Sequence, residues 1–186
     1  LDTTITTLTS ANVTGIGSAI DISNTGTLGV TSTTTNNGNI TLASDSGTLT
    51  LTSVTATGGN VIANATTSGN ISVGSVSGTV VTLGSAAGAI TNINPGTSSI
   101  AATSLTASAE TGIDLDTTIT TLTSANVTGI GSAIDISNTG TLGVTSTTTN
   151  NGNITLASDS GTLTLTSVTA TGGNVIANAT TSGNIS

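Results

Sequence analysis

The chain contains no Lys, Arg or His, so none of its side chains carries a positive charge. Its eight acidic residues therefore give a formal net charge of −8 that nothing offsets. A surface without cations cannot neutralise phosphate groups, which argues against nucleic acid as a partner. The same lack removes any polybasic attraction to anionic lipid. No run of about 18 apolar residues is present, so we also expect no membrane insertion of this segment.

Cys, Met, Phe, Tyr and Trp are missing as well. Without cysteine there are no disulfides and none of the usual zinc sites. Ser and Thr are abundant, but no His, Lys or Cys is available to activate a hydroxyl as a nucleophile. A glycosidase-like carboxylate pair would lack the aromatic platforms that sugar-cleaving sites normally use. We therefore predict no catalytic residue and no cofactor, and we predict that the protein is not an enzyme.

The residues that are present favour thin β-structure. The 186 residues include 47 Thr, 25 Ser, 24 Gly and 18 Asn, and only 44 Ile, Leu and Val. Polar and aliphatic residues alternate in segments such as Gly47-Thr48-Leu49-Thr50-Leu51-Thr52, which is typical of a half-buried strand. Thr, Val and Ile favour strands, whereas Thr and Gly are poor helix formers. Without aromatic side chains to fill a thick core, we expect a core one or two side chains deep.

A long repeat dominates the chain. Residues Leu1–Ser72 recur unchanged as Leu115–Ser186, at an offset of 114 residues. Repeats of this kind indicate a solenoid or an array. We therefore divide the chain into one full unit, residues 1–114, and a partial second copy, residues 115–186, within a single continuous solenoid. The natural protein is expected to be a longer array.

A shorter period is visible inside the unit. Aliphatic residues recur at spacings of 17 to 21 residues, with an average of 19 over six intervals. This period predicts an all-β solenoid with coils of about 19 residues and six coils per unit, whose strands pair in parallel with their copies one coil along. The inward side chains are predicted to include Ile40, Leu42, Leu49, Leu51 and Val54. The recurring aliphatic positions are Ile40, Val61, Val80 or Val81, Ile100, Ile119, Ile136 and Ile154.

Three short segments carry a resemblance to a known family. Gly38-Asn39-Ile40-Thr41-Leu42, Gly47-Thr48-Leu49-Thr50-Leu51 and Gly69-Asn70-Ile71-Ser72 resemble the coil units of filamentous haemagglutinin and related large exoproteins. The resemblance implies a right-handed parallel β-helix that is secreted by the two-partner route or as an autotransporter passenger. This chain departs from the family by lacking Lys, Arg and aromatic residues and by repeating perfectly.

The resemblance implies an extracellular role at a bacterial cell surface. The expected function is the structural shaft of a repetitive fibre or filamentous adhesin, a stiff spacer for attachment or cell–cell contact. Its partners would be neighbouring repeats of the same chain and a surface receptor that the sequence does not identify. The alternative is a self-assembling filament of a sheath or biofilm matrix, built by lateral or end-to-end association. A designed repeat protein is disfavoured by the irregular coil lengths.

Asp114 and Asp116 are the one candidate metal site. They lie two positions apart, so on a strand both carboxylates point to the same side, and carboxylate oxygens suit Ca²⁺. We favour the simpler interpretation that both face solvent, outward of Ile113 and Leu115. Asn-x-Ser/Thr triplets also occur, but the high Asn, Ser and Thr content explains most of them by chance, and we do not favour glycosylation. These triplets include those at Asn12, Asn39, Asn64 and Asn70.

A less favoured hypothesis is an ice-binding solenoid, because rows of outward threonine can form a flat array. Such a face needs the same Thr-x-Thr at the same place in every coil. Here Thr41 is matched by Ile62 in the next coil and then by Thr82, so the array is interrupted. We therefore expect the purified chain to show no thermal hysteresis in a freezing-point measurement. A measurable hysteresis gap would contradict this expectation.

Overall fold

The computed structural model describes residues 1–181 and 183–186 and has the predicted solenoid architecture. The described residues form strands, turns and bends, and none of them is helical. All strands belong to one sheet that winds through about nine turns of about 21 residues. Every pairing between strands is parallel. The fold is consistent with a right-handed parallel β-helix.

The 22 strands range from two to 18 residues in length. In chain order they are β1 Asp2–Thr3, β2 Thr7–Leu8, β3 Ala11–Ile16, β4 Ile20–Asn24, β5 Leu28–Val30, β6 Thr33–Asn36, β7 Ile40–Ser46, β8 Leu49–Leu51, β9 Val54–Thr57, β10 Val61–Ser68, β11 Ile71–Val73, β12 Val76–Ser85, β13 Ile90–Asn92, β14 Ile100–Ala109, β15 Ile113–Ile130, β16 Ile134–Thr139, β17 Leu142–Val144, β18 Thr147–Asn150, β19 Ile154–Asp159, β20 Leu163–Leu165, β21 Val168–Thr171 and β22 Val175–Thr180.

The solenoid has three faces, which we name A, B and C. Face A begins with β1, β4, β7 and β10 and continues through the later parts of β12, β14 and β15 to β18 and β21. Face B contains β2, β5, β8, β11, β13, the start of β15, then β16, β19 and β22. Face C contains β3, β6, β9, the first parts of β12 and β14, the middle of β15, then β17 and β20.

The core is a continuous stack of aliphatic side chains along the axis. The five residues predicted to point inward are all completely buried, which confirms the period-two assignment. On face B, for example, Leu28, Leu49 and Ile71 lie in register in three successive turns. Each side chain therefore contacts similar side chains above and below, so a small number of aliphatics per turn closes the core.

The predicted coil length of 19 residues is wrong, and the register shows why. The first three aliphatic positions, up to Val81, lie in succession on face A, as predicted. The residue that follows Val81 on this face is Leu105, whereas Ile100 lies one face earlier, on face C. The series moves back by one face again at Ile136, which lies on face B. The six spacings between Ile40 and Ile154 therefore correspond to five and one-third turns, because two of them are one face short of a full turn.

The 114-residue unit does not contain a whole number of turns. Five turns after Ile22 on face A the chain reaches Ala125, eleven residues short of Ile136, the copy of Ile22. Ile136 instead pairs with Leu115 and Leu156 on face B. A segment that lies on face A in the first unit therefore lies on face B in the second unit. With neighbouring strands about 4.8 Å apart, one unit advances about 26 Å along the axis.

Buried polar side chains and glycines form the corners. The Ser44 hydroxyl donates to the Gly26 carbonyl at 2.7 Å, and the Ser85 hydroxyl donates to the Gly69 carbonyl at 2.8 Å. These bonds satisfy carbonyl groups that the strand ladders leave free. Gly59 lies directly against the Gly38 carbonyl of the preceding turn, where a Cβ atom would overlap that oxygen. Glycine is therefore required there by the close approach of the two backbones.

Thr33 and its copy Thr147 break this pattern of satisfied polar groups. Both residues are fully buried, and within the described residues neither hydroxyl has a hydrogen-bond partner. Two positions along the same strand, the Thr35 hydroxyl donates to the Gly38 carbonyl at 2.6 Å. The two buried threonines of β6 therefore have opposite roles, since only Thr35 contributes a buried hydrogen bond.

Replacing Thr33 by Val should stabilise the protein by about 1 kcal/mol, because it removes an unsatisfied buried hydroxyl and keeps the side-chain shape. The residue in register in the next turn is Val54, so the new side chain extends an aliphatic column. Thr35→Val is the matched control and should destabilise by about 1–3 kcal/mol, since it leaves the Gly38 carbonyl unpaired. Denaturant titration of both variants checks the prediction, and equal effects would contradict it.

Candidate functional site

The two carboxylates of the candidate metal site lie on the outer side of a strand, as predicted from their alternation with aliphatic residues. Asp114 and Asp116 are on β15, pointing outward from buried Ile113 and Leu115. Asp114 is exposed, whereas Asp116 is half-buried. The Oδ2 atom of Asp116 accepts hydrogen bonds from the Asn92 side chain at 2.8 Å and from the Gly96 backbone N–H at 2.6 Å. These two hydrogen bonds hold the loop that follows β13 against the Asp116 side chain.

A third carboxylate, which the sequence reasoning did not place here, completes this acidic surface. Asp135 lies in register with Asp114 in the next turn of face B, and its side chain is exposed. Partial desolvation by the neighbouring strands raises the pKa of Asp135, and the carboxylates of Asp114 and Asp116 raise it further. Within the described part of the chain, no group of three such side chains is placed to hold a metal ion.

Asp135 is the copy of Asp21, and Asp116 is the copy of Asp2. On its other side Asp135 lies in register with Thr155, just as Asp21 lies in register with Thr41. Asp114 is the residue immediately before the second unit, so these three carboxylates meet where one unit joins the next.

Polar side chains also meet next to this surface, around the Asn94-Pro95-Gly96 turn. The Ser99 hydroxyl donates to the Asn92 side-chain oxygen and to the Asp116 carbonyl, the latter at 2.9 Å. The contact of this turn with Asp116 was not predicted from the sequence. A hydroxyl bonded in this way has no base beside it, so the arrangement holds the loop in place and offers no activated nucleophile.

Asparagines form a second feature that sequence reasoning missed. The Asn39 side-chain oxygen accepts from the Asn60 backbone N–H at 3.0 Å, and Asn60 repeats this contact with Val80 at 3.2 Å. Asn70 accepts from the Ala89 N–H at 2.9 Å in the same way. In the Gly-Asn pairs that suggested a coil motif, the Asn side-chain oxygen thus accepts a hydrogen bond from a backbone N–H group of the next turn.

The outward threonine rows are interrupted, as the sequence indicated. Thr41, Ile62 and Thr82 lie in register on face A. On face B, Thr50 is flanked in register by Gly29 and Ser72. Neither row presents threonine in every turn, so neither offers the regular array that the ice-binding hypothesis needs.

Comparison with protein-family models, curated proteins and solved structures found no match. Among the residues that the structure describes, no helix is long and apolar enough to cross a membrane. The functional interpretation therefore depends on the geometry of this chain itself.

Replacing Asp135 by Asn should raise the thermal midpoint at neutral pH. A carboxyl group whose pKa is higher in the folded state costs stability when ionised, and this cost disappears as the pH falls through the folded pKa to below the unfolded value. The advantage of Asp135→Asn should therefore shrink on acidification, which melting curves across the acidic range would measure. Asp21→Asn in this 186-residue chain is the control, because the residue in register with Asp21 is Thr41 and not a carboxylate. Equal stabilisation by both variants would contradict the prediction.

Proposed function

We propose that this chain is part of the structural shaft of an extracellular surface fibre, where it acts as a stiff spacer for attachment or cell–cell contact. The observation that carries the proposal is the parallel pairing of strands between successive turns, which continues along the axis from Asp2 to Ile185. A rod of this kind separates whatever lies at its two ends by a length that the number of turns sets. The short segments that resemble filamentous haemagglutinin support an adhesin shaft in particular.

The surface chemistry suits a spacer. Every charged side chain is negative, which discourages collapse of neighbouring shafts at low salt. The absence of Lys and Arg leaves no trypsin-type cleavage site. The hydrogen-bonded hydroxyls of Thr35, Ser44, Ser85 and Ser99 hold corners and loops in place, so they support the rod. A bacterial, secreted origin is part of this proposal.

A filament of a sheath or biofilm matrix is the second candidate function. It is favoured by exposed isoleucines on the outer surface, of which Ile16 and Ile130 are each 77% exposed. Apolar side chains held outward on a rigid shaft can contact other copies of the chain. The two candidates differ in whether the working unit is one long chain or an assembly of shafts.

Inserting one more 114-residue unit should lengthen the particle by about 26 Å, because five and one-third turns are added at a fixed strand spacing. The maximum dimension from small-angle X-ray scattering measures this increment. A Gly/Ser insert of equal length is the control, since a flexible coil grows with the square root of its length. A length increase that follows the flexible control would refute the spacer role.

Location is tested with antibodies against the purified chain. Immunogold electron microscopy of intact source cells should place the label along thin fibres outside the cell. Fibres with the mass per length of one solenoid support the adhesin shaft, whereas thicker fibres built of many chains support the matrix filament. Labelling that requires permeabilised cells would reject both.

A further inference from the structure

The last turn of the 186-residue chain has the sequence of an interior turn but is less covered. Residues 166–186 repeat residues 52–72 without change. Val61 is completely buried, whereas its copy Val175 is 45% exposed. In the preceding turn both valines have an isoleucine in register, so the difference comes from the following turn, which within the described residues covers Val61 alone. We name the open side of the described residues in 166–186 the end edge.

The first unit shows which residues cover this turn. There the covering turn consists of residues 73–92, and Val81 lies in register with the buried valine. On face B, Ile90 lies in register with Ile71, which is completely buried. Ile185, the copy of Ile71, is 51% exposed. The backbone groups and inward side chains of the end edge are therefore those that pair with residues 73–92 inside the chain.

The first turn has the same relationship to the second unit. Residues 1–13 have the sequence of residues 115–127. Ile119 is 4% exposed, because β14 lies against it through the pairing with Ala102, whereas its copy Ile5 is 39% exposed. We name the open side of residues 1–13 the start edge. Its partner inside the chain is β14.

One segment, residues 73–114, thus contains the partners of both edges. Its first turn covers the copy of the end edge, and its second turn, with β14, covers the copy of the start edge. The 42 residues of this segment and the 186-residue chain together make two complete units. Residues 73–109 and 166–186 contain no charged side chain, so like charge does not oppose contact at the end edge.

We propose that the two edges are docking sites for a separate polypeptide segment with the sequence of residues 73–114, which joins shafts end to end without a covalent link. Addition of a strand to an open edge gains affinity from main-chain hydrogen bonds and specificity from side chains. The contact is head-to-tail and does not close on itself, so repeated joining produces a linear filament. The proposal concerns the edges, and it applies to any chain that exposes them.

Polar side chains on the two edges fix the register of the docked segment. In the first unit the Asn70 side-chain oxygen accepts from the Ala89 N–H at 2.9 Å, and Asn184 is the copy of Asn70 on the end edge. On the start edge Asp2 is the copy of Asp116, whose carboxylate holds the loop that follows β13. A docked segment therefore finds the acceptors that it has inside the chain.

The test adds a synthetic peptide of residues 73–114 to the 186-residue chain. Sedimentation velocity should show particles that grow until one peptide is present per chain. Small-angle X-ray scattering should show growth in length at a constant cross-section. Each added chain and peptide should contribute about 51 Å, because together they make ten and two-thirds turns at a fixed strand spacing. A peptide of scrambled sequence is the control and should leave the chain as it is alone.

A peptide variant tests the end edge. In the first unit Gly88 lies directly against the Gly69 carbonyl, where a Cβ atom would overlap the oxygen. Gly88→Val should therefore weaken binding of the peptide to the end edge by about tenfold or more and stop growth. Ala87→Val introduces the same side chain at the neighbouring exposed position and should bind like the unmodified peptide.

A chain variant tests the start edge. In the free chain a Cβ atom at Gly15 would contact only the flexible Ser18 side chain, whereas at its copy Gly129 it would overlap the Glu110 carbonyl of the covering turn. Gly15→Ala should therefore fold, bind one peptide at its end edge and form no longer particles. Gly29→Ala is the control, because its Cβ meets an ordinary contact distance in both copies. Circular dichroism confirms that both chain variants fold.

Binding of the peptide no stronger than that of the scrambled peptide would overturn the proposal. Growth that persists with Gly88→Val or Gly15→Ala would overturn it as well, because joining would then occur at another surface. These outcomes leave the proposed shaft function untouched, since a covalently continuous shaft can act as a spacer without docking. Failure of the length increment on inserting a unit would conversely leave the peptide-binding measurement unaffected.

Discussion

Backbone hydrogen bonds between successive turns hold each inward side chain directly over the inward side chain of the turn before. On face B this places Leu49 over Leu28 and Ile71 over Leu49. Stacking of this kind closes a core with aliphatic residues alone, because each side chain is covered along the axis as well as across it. The same register brings corner backbones together, as at Gly38 and Gly59, where no side chain fits.

The local features of the fold were predictable, and its winding was not. Alternation of Leu49 and Leu51 with threonine fixes strand type and the inward side, because both depend on neighbouring residues only. The number of residues per turn depends on corner lengths, which vary along the chain. Counting the conspicuous isoleucine Ile100 as the successor of Val81 omitted Leu105, the residue that follows Val81 on face A. Two of the six predicted coils were each one face short of a full turn, so five and one-third turns were counted as six.

The same limit applies to the surface. The outward direction of Asp114 and Asp116 follows from alternation with Ile113 and Leu115, but only Asp114 faces solvent, because Asp116 is half-buried against the loop that follows β13. The arrival of Asp135 beside Asp114 depends on the register between turns, which the wrong coil length concealed. The amide contact of Asn39 with Asn60 was missed although the register there was predicted correctly, because periodicity does not specify side-chain hydrogen bonds. Contacts along the strand are readable from sequence, whereas contacts between turns need the correct winding.

Identical sequence lies on two different faces of the solenoid in the two units. Ile22 and Ile136 are both buried, and Ile16 and Ile130 are equally exposed, although each pair is divided between faces. The inward or outward direction of a side chain is thus specified within the segment. The neighbours in register repeat as well, since Asp21 lies beside Thr41 and its copy Asp135 lies beside Thr155. A unit of five and one-third turns therefore repeats both its sequence and its pairings, and equal surfaces point in successive directions around the shaft.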